Sequence, residues 1–232
     1  MNKVLTGEKL EEILTKLETL GNPENAAGMA RFGMNVDKAY GIRIPVLRKL
    51  AKDVWVDHEL ALGLWDTGMH EARILASMVD DPKQVTEAQM DAWVQDFNSW
   101  DLCDQCCGNQ FDKTTFAFDK AVEWSGREPE FEKRAGFALM AWLAVHDKKA
   151  KDSHFEVFLP IMIREATDER NFVKKAVNWA LRQIGKRNLA LNAKAIEVAE
   201  EIEKIDDKAA RWIAKDALRE LRSEKVKVRL RL

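Results

Sequence analysis

The sequence predicts an all-α protein in which helix pairs repeat along the chain, and three observations support this class. In several segments the apolar residues recur at intervals of three and four, and no segment is predicted to form a strand. Similar short openings, each with a basic residue, precede these segments. The prolines are few, and each fits a helix start or the loop before one. They are Pro23, Pro45, Pro82, Pro129 and Pro160.

Three apolar stripes show the helical spacing. Residues 134–145 carry apolar side chains at i, i+3, i+4, i+7 and i+8 counted from Phe137, and residues 172–184 repeat the pattern. The stretch 212–221 does so again. The basic residues of the openings are separated by 61, 41 and 36 residues, and the helix containing Asp104 nearly halves the first interval. These basic residues are Arg73, Arg134, Lys175 and Arg211.

Intervals of about 30 to 45 residues per helix pair are typical of HEAT-like solenoids. We therefore expect an all-α, HEAT-like helical-repeat superhelix, an α-α solenoid whose helix pairs bury their stripes against each other. Corresponding positions would then line a concave face. A non-repetitive helical bundle is the alternative, but the basic position recurs together with the stripe, which favours the solenoid.

Length and composition limit the class of protein. A chain of 232 residues, 46% of them hydrophobic, can bury its core in one domain, which we place over residues 1–232. No apolar run approaches membrane-spanning length, and charged residues stand where a signal peptide would have its apolar region. We expect a soluble, cytoplasmic monomer with no membrane partner, associated with the nucleoid when bound to DNA.

Three cysteines, Cys103, Cys106 and Cys107, lie within five residues of one another, and an odd, tight cluster cannot form a disulfide framework. Zinc is an alternative, but the chain has no second cysteine pair, and His146 and His154 stand in no ligand motif. We therefore expect small, buried helix-packing residues. No metal and no cofactor are expected.

Charge is distributed unevenly along the chain. The formal net charge of −2 and the pI near 6.2 argue, taken alone, against a nucleic-acid partner. Residues 51–112, however, carry a net charge of −10, whereas residues 170–232 carry +8. This asymmetry is what a curved protein needs to present one basic surface to a polyanion, although ordinary solvated helix faces would also produce it.

The segment 98–104 contains the first candidate site. Ser99 is a plausible N-cap, which would place Trp100 and Asp104 at i and i+4 on one helix face that continues to Gly108 and Phe111. Near a helix N-terminus, Asp104 would be held as a fixed negative charge. The alternative is a helix-stabilising aspartate, a role that Asp101 fits better.

Trp179 is the second candidate. The apolar stripe of its helix is already filled, so Trp179 is expected to project with Lys175, Asn178 and Arg182 from the polar side. A large aromatic side chain among cations suggests contact with a flat, anionic nucleotide. A tryptophan packed under the next repeat is the alternative. Arg134 opens its helix in the same repeat phase, where it would cover a phosphate or serve in a surface ion pair.

Several segments, taken in order, resemble the AlkD-like DNA alkylation repair proteins, which are HEAT-like-repeat alkylpurine DNA glycosylases. The most specific is Trp-Asp-Leu-Cys-Asp at residues 100–104. The resemblance extends over residues 22–188, and the order and spacing of its parts are more specific than any one motif. The other parts are residues 22–32, 41–48, Leu64 and Trp65 with Glu71, Arg134-Ala135, and 172–182.

This resemblance implies a superhelix that holds double-stranded DNA containing alkylated bases in a basic groove and releases cationic N3- and N7-alkylpurines. Asp104 corresponds to the family's catalytic aspartate, and Trp100 and Trp179 to its active-site tryptophans. Arg134 and Arg182 correspond to its DNA-contacting arginines, and Lys175 is expected beside them. Phe32 stands at the DNA surface where active relatives have a tyrosine.

Such a site is chemically sufficient for these substrates. An alkylated purine is already cationic, so it leaves as a neutral base without a general acid, and the enzyme has only to stabilise an oxocarbenium-like sugar. An ionised aspartate does this electrostatically, while aromatic faces add cation–π stabilisation. The sequence thus predicts a monofunctional glycosylase. The alternatives are a non-catalytic binder of damaged or branched DNA, and a helical-repeat scaffold for an acidic protein.

Overall fold

The computed structural model describes residues 2–231, and within that range every regular element is a helix. The all-α prediction is therefore confirmed. The chain forms two compact units, unit 1 (Met1–Thr114) and unit 2 (Thr115–Leu232). The placement of a single domain over residues 1–232 stays a prediction. Among the described residues, no helix combines the length and apolar character that a membrane span requires.

Unit 1 contains seven helices within its described residues, followed by a short 3-10 turn at Phe111–Lys113. The helices are α1 (Asn2–Thr19), α2 (Pro23–Ala30), α3 (Ile44–Val54), α4 (His58–Asp66), α5 (His70–Val79), α6 (Glu87–Gln95) and α7 (Trp100–Asn109).

Unit 2 continues with helices of more variable length. They are α8 (Ala117–Ser125), α9 (Glu130–His146), α10 (Asp152–Glu156), α11 (Leu159–Arg164), α12 (Asn171–Gly185), α13 (Leu189–Glu203), α14 (Lys208–Leu221) and α15 (Glu224–Arg231).

The prolines mark helix starts as the sequence predicts. Pro23, Pro45 and Pro160 lie in the first turns of α2, α3 and α11, and Pro129 is the residue before α9. Pro82 lies in the turn between α5 and α6. Proline is tolerated at these positions because the first amides of a helix have no partner within it.

Helix α5 is the centre of unit 1 and packs against α3, α4 and α7. Its first turn contains Glu71, which has no exposed surface. The Glu71 carboxylate accepts hydrogen bonds from the backbone amides of Tyr40, Gly41 and Ile42, at 2.7, 2.6 and 3.0 Å. Gly41 has φ of +78°, a conformation that suits glycine, and an added Cβ would lie 2.1 Å from the Asn22 carbonyl oxygen. Glu71 therefore attaches the loop before α3 to the core.

Unit 2 is organised around α9 and α12, which pack along each other. Helix α8 approaches α9 so closely that a Cβ on Gly136 would lie 2.4 Å from the Ser125 amide nitrogen. Most members of the α9 and α12 stripes are buried as predicted. Three stripe members differ, and the first is Val145 of α9, which is half-buried. Phe172 is half-buried against Phe131, and Trp212 of α14 is 40% exposed beneath the Lys174 ammonium group.

The recurring basic position does not create one common environment, contrary to the expectation from the repeat. Arg73 is ion-paired with Asp96 and lies over the Trp65 ring. Arg134 is buried, Lys175 is exposed, and Arg211 is exposed with its charge paired to Asp206. The four residues share a phase in the sequence, but the neighbouring helices give each a different partner.

We predict that Glu71→Gln lowers the free energy of unfolding by about 2–4 kcal/mol, because the amide group would turn one acceptor into a donor that faces a backbone N–H. Urea unfolding measures this. Glu59→Gln, an exposed position in α4, is the matched control. Equal stability of the two variants would contradict the assigned role of Glu71.

Candidate functional site

Helix α7 places Trp100 and Asp104 on successive turns at its N-terminal end, as the spacing predicts. Two local details differ from the expectation. The Ser99 hydroxyl donates to Asp101 Oδ1 at 2.8 Å and makes no capping bond to a backbone amide. The helix ends at Asn109, so Phe111 lies in the following 3-10 turn, where it is buried near Trp93 and Phe97.

The Trp100 indole is attached to the turn that follows α2. Its Nε1 donates to the Phe32 carbonyl oxygen at 3.0 Å, and the indole is half-buried. The Phe32 side chain is 70% exposed. Two residues far apart in the sequence, both predicted to belong to the site, are therefore adjacent, and one carries a large apolar side chain into solvent.

A buried ion pair fixes the first turn of α7 to α5. His70 Nε2 lies 2.8 Å from Asp101 Oδ2. Burial opposes the charged form of His70, but the hydrogen bond and the charge of Asp101 outweigh it and raise the His70 pKa, with Glu71 adding to the effect and Arg73 opposing it. Burial likewise opposes ionisation of Asp101, yet its bonds with His70 and Ser99 lower its pKa. The charged pair is thus favoured, and it orients the helix turn that begins with Trp100.

Asp104 is half-buried on the turn after this pair. The neighbouring Cys103, Cys106 and Cys107 are reduced and buried, as predicted. Burial raises the pKa of the Cys107 thiol well above its usual value, and the charges of Cys103, Cys106 and Asp104 raise it further. Burial also raises the pKa of Cys106. These thiols pack the helix and are poor nucleophiles.

In unit 2, Trp179 belongs to an aromatic group that the sequence reasoning missed. Its ring meets Trp142 of α9 edge to face, with centroids 5.4 Å apart, and Trp142 stacks on His146 at 4.8 Å. Both tryptophans are half-buried and His146 is exposed. Trp142 and His146 stand at i and i+4, a spacing that places two rings on one helix face and was the available signal.

The remaining predicted residues of unit 2 lie in dissimilar surroundings. Arg134 is only 6% exposed and donates to the Phe172 carbonyl oxygen at 2.5 Å, so its side chain is buried and does not lie on the surface. Asn178 is buried and donates to the Ile213 carbonyl oxygen at 3.0 Å, so its placement on the polar face was wrong. Lys175 is exposed, as predicted.

Arg182 is already engaged with two carboxylates of α14. Its guanidinium group pairs with Glu220, and its Nε lies 3.6 Å from Asp216 Oδ2. Lys186 binds the other oxygen of Glu220 at 2.6 Å. Burial opposes ionisation of Glu220, but these two cations lower its pKa. The charge of Arg182 is therefore largely balanced within the protein.

The buried pair makes stability depend on pH. Because folding raises the pKa of His70 above 6.5, the stabilisation that His70 provides is fully present below pH 6.5. This stabilisation is lost as the pH rises through the raised pKa. The contribution of Asp101 is present above 3.8 and is lost as the pH falls through its lowered value. Asp101→Asn removes the charge, so we expect lower stability near pH 6.5 and a weaker decline above it.

Urea unfolding between about pH 6 and about pH 9 measures this dependence. Asp66→Asn, an exposed position in the same unit, is the control and should behave as the wild type. If Asp101→Asn declines as steeply as the wild type above pH 6.5, the pair is not the cause.

Comparisons with known proteins agree with this structure. A family model described as DNA alkylation repair enzyme matches residues 13–221. A solved structure described as a new family of proteins related to the HEAT-like repeat DNA glycosylases, with affinity for branched DNA structures, is 24% identical and has a TM-score of 0.74 over 95% of each chain. A search of curated proteins gives no match. The HEAT-like repeat fold is thus confirmed, and the chain belongs to the DNA alkylation repair enzyme family.

Proposed function

We propose that the protein is a monofunctional DNA glycosylase that releases cationic N3- and N7-alkylpurines from double-stranded DNA. The observation that carries the proposal is the start of α7, where Asp104 follows one turn after Trp100 and the indole is fixed by the Phe32 carbonyl group. Family membership supports it, since the family is that of DNA alkylation repair enzymes.

The proposed reaction uses no general acid. The glycosidic C–N bond breaks, its electron pair goes to the cationic purine, and the base leaves neutral. The sugar becomes oxocarbenium-like, and the Asp104 carboxylate stabilises this positive charge. Water then adds to the anomeric carbon and loses a proton to solvent. Trp100, on the same helix as Asp104, offers an aromatic face to the cationic lesion or sugar, which contributes cation–π stabilisation.

Electrostatic binding of DNA is proposed for the exposed cations of unit 2. Lys175 is exposed and its charge has no carboxylate partner among the described residues. Arg182 differs because Glu220 and Asp216 already balance it. A phosphate that reaches Arg182 must compete with these carboxylates, so Arg182 and Arg134 are better suited to shaping the binding face than to supplying net charge.

A non-catalytic binder of branched DNA is the second candidate. It is favoured by the similar solved structure, which is described as having affinity for branched DNA. The exposed Phe32 side chain also favours a role in binding branched DNA, because an apolar ring at a DNA surface stacks on an unpaired base but offers no hydroxyl group. The two candidate functions differ in whether Asp104 promotes cleavage of the glycosidic bond or only lies near the bound DNA.

Asp104→Asn separates the two. The amide keeps the shape but removes the charge, so we expect base release from methylated duplex DNA to fall by at least about 10²-fold. Affinity for intact duplex should be unchanged or higher, because one negative charge facing phosphates is gone. Chromatography of released bases and fluorescence anisotropy measure the two quantities. Asp53→Asn, exposed in α3, serves as control. Unchanged release by Asp104→Asn would refute its catalytic role.

Duplex affinity should fall steeply as salt rises, and Lys175→Ala should weaken it without sequence preference and reduce the salt slope by about 1. Arg182→Ala should weaken binding and also lower the thermal midpoint, since Asp216 and Glu220 lose a partner. Lys52→Ala, exposed in unit 1, is the control. Affinity that is flat between low and moderate salt would favour a scaffold for an acidic protein instead.

A further inference from the structure

A basic pocket of about 370 Å³ lies in unit 2, at the C-terminal ends of α9 and α12. We propose that this Arg187 pocket binds a dianionic phosphate group, supplied by the 5′-phosphorylated end of a DNA strand or by inorganic phosphate. The strand-end source rests on the proposed DNA binding, whereas the phosphate chemistry does not. The lining of the pocket includes Lys148, Asp152, Gln183, Lys186, Arg187 and Arg229.

Arg187 is a half-buried cation of the pocket, and the groups it contacts are neutral. It donates to the carbonyl oxygens of Ala144 and Ala150, at 2.8 and 3.3 Å, and its guanidinium carbon lies 3.9 Å from the centre of the Phe155 ring. Its Nε is buried without a hydrogen-bond partner. Burial lowers the pKa of Arg187, which the charges of Asp152 and Asp147 oppose. Carbonyl dipoles do not neutralise a full charge, so an anion at this position would be stabilised.

Two further cations at the pocket are available. Lys148 and Arg229 are exposed, and within residues 2–231 neither has a carboxylate within ion-pair distance. Lys186, in contrast, is paired with Glu220. The pocket therefore combines one guanidinium group held in place with two side chains that are free to close on a ligand.

The charge that opposes an anion consists of one carboxylate and the partly negative C-terminal ends of α9 and α12, and the donation from Arg187 to the Ala144 carbonyl oxygen offsets part of the latter. Asp152 is the carboxylate at the pocket, and both its oxygens accept hydrogen bonds from Asn188 Nδ2, at 2.9 and 3.0 Å. Glu220 pairs with Lys186, so among the residues that line the pocket Lys148, Arg187 and Arg229 face only Asp152 and leave a surplus of two positive charges, while Asp147 lies outside the lining. A phosphate monoester carries about −1.5 to −2 at neutral pH and accepts several charge-assisted hydrogen bonds, whereas an internal phosphodiester carries only one charge.

The pocket also adjoins the aromatic group. On α12, Gln183 lies one turn after Trp179 and lines the pocket, and on α9, Val145 of the pocket wall precedes His146. A strand that stacked on Trp179 and Trp142 would thus bring a nearby phosphate to Arg187. The volume is many times the roughly 30 Å³ that one water molecule takes in the liquid, so it admits a phosphate with part of its sugar.

The test uses a hairpin duplex whose single end carries either a 5′-phosphate or a 5′-hydroxyl group, together with calorimetric titration of inorganic phosphate. The wild type should bind the phosphorylated end roughly tenfold more tightly. The double variant Lys148→Gln/Arg229→Gln should lose this preference. Lys149→Gln/Lys225→Gln, which removes the same charge from exposed neighbours outside the pocket, should retain it.

Two results would overturn the proposal: equal wild-type affinity for both ends without phosphate binding, or equal loss of the preference in both double variants. A third result supports the pocket and assigns inorganic phosphate as its ligand. In that result, the wild type binds both duplex ends equally but binds inorganic phosphate, and only Lys148→Gln/Arg229→Gln abolishes the phosphate binding. If the protein binds no duplex at all, the proposed function is wrong. The titration with inorganic phosphate still tests whether the Arg187 pocket binds phosphate.

Discussion

The buried Glu71 carboxylate is the interaction on which the arrangement of unit 1 depends. It holds three consecutive amides of residues 40–42, and the adjacent His70 holds Asp101 at the start of α7. The loop it anchors also binds the start of α2, since the Asn22 amide donates to the Tyr40 carbonyl oxygen at 2.7 Å. One turn of α5 thereby fixes both the α2 region, which carries Phe32, and the helix that carries Trp100 and Asp104. Burial of the Glu71 carboxylate is tolerated because each of its three partners is a backbone amide that donates a hydrogen bond.

Charge counted along the sequence overstates the charge that a ligand meets. The C-terminal excess of +8 over residues 170–232 includes Arg170 and Lys194, whose carboxylate partners Asp168 and Glu156 lie outside that segment and are not counted in it. The cations that remain available are fewer and stand at particular places, such as Lys175 on α12 and Arg229 at the Arg187 pocket. Affinity for a polyanion is therefore expected to depend on these positions and less on the overall balance of the segment.

Helical periodicity was sufficient to predict helices α9, α12 and α14 and most of the buried faces of α9 and α12, because a 3.6-residue repeat is a local property. It also predicted that Trp100 and Asp104 occupy successive turns. It failed wherever a neighbouring helix decides the outcome. Asn178 is buried because α14 offers it a carbonyl group, and Phe111 leaves the α7 face because that helix ends two residues earlier. Trp142 went unnoticed because its contact with Trp179 comes from another helix, although its i, i+4 spacing with His146 was visible in the sequence.

The proposed reaction needs only the Asp104 carboxylate and the Trp100 indole, because the substrate base is already cationic. It is tested most directly by chromatography of the bases that the wild-type protein releases from two duplexes, one containing 7-methylguanine and one containing the neutral lesion hypoxanthine. We predict release of 7-methylguanine alone. Release of both bases would show that a general acid operates, and release of neither by a protein that binds both duplexes would show that it is a DNA binder and not a glycosylase.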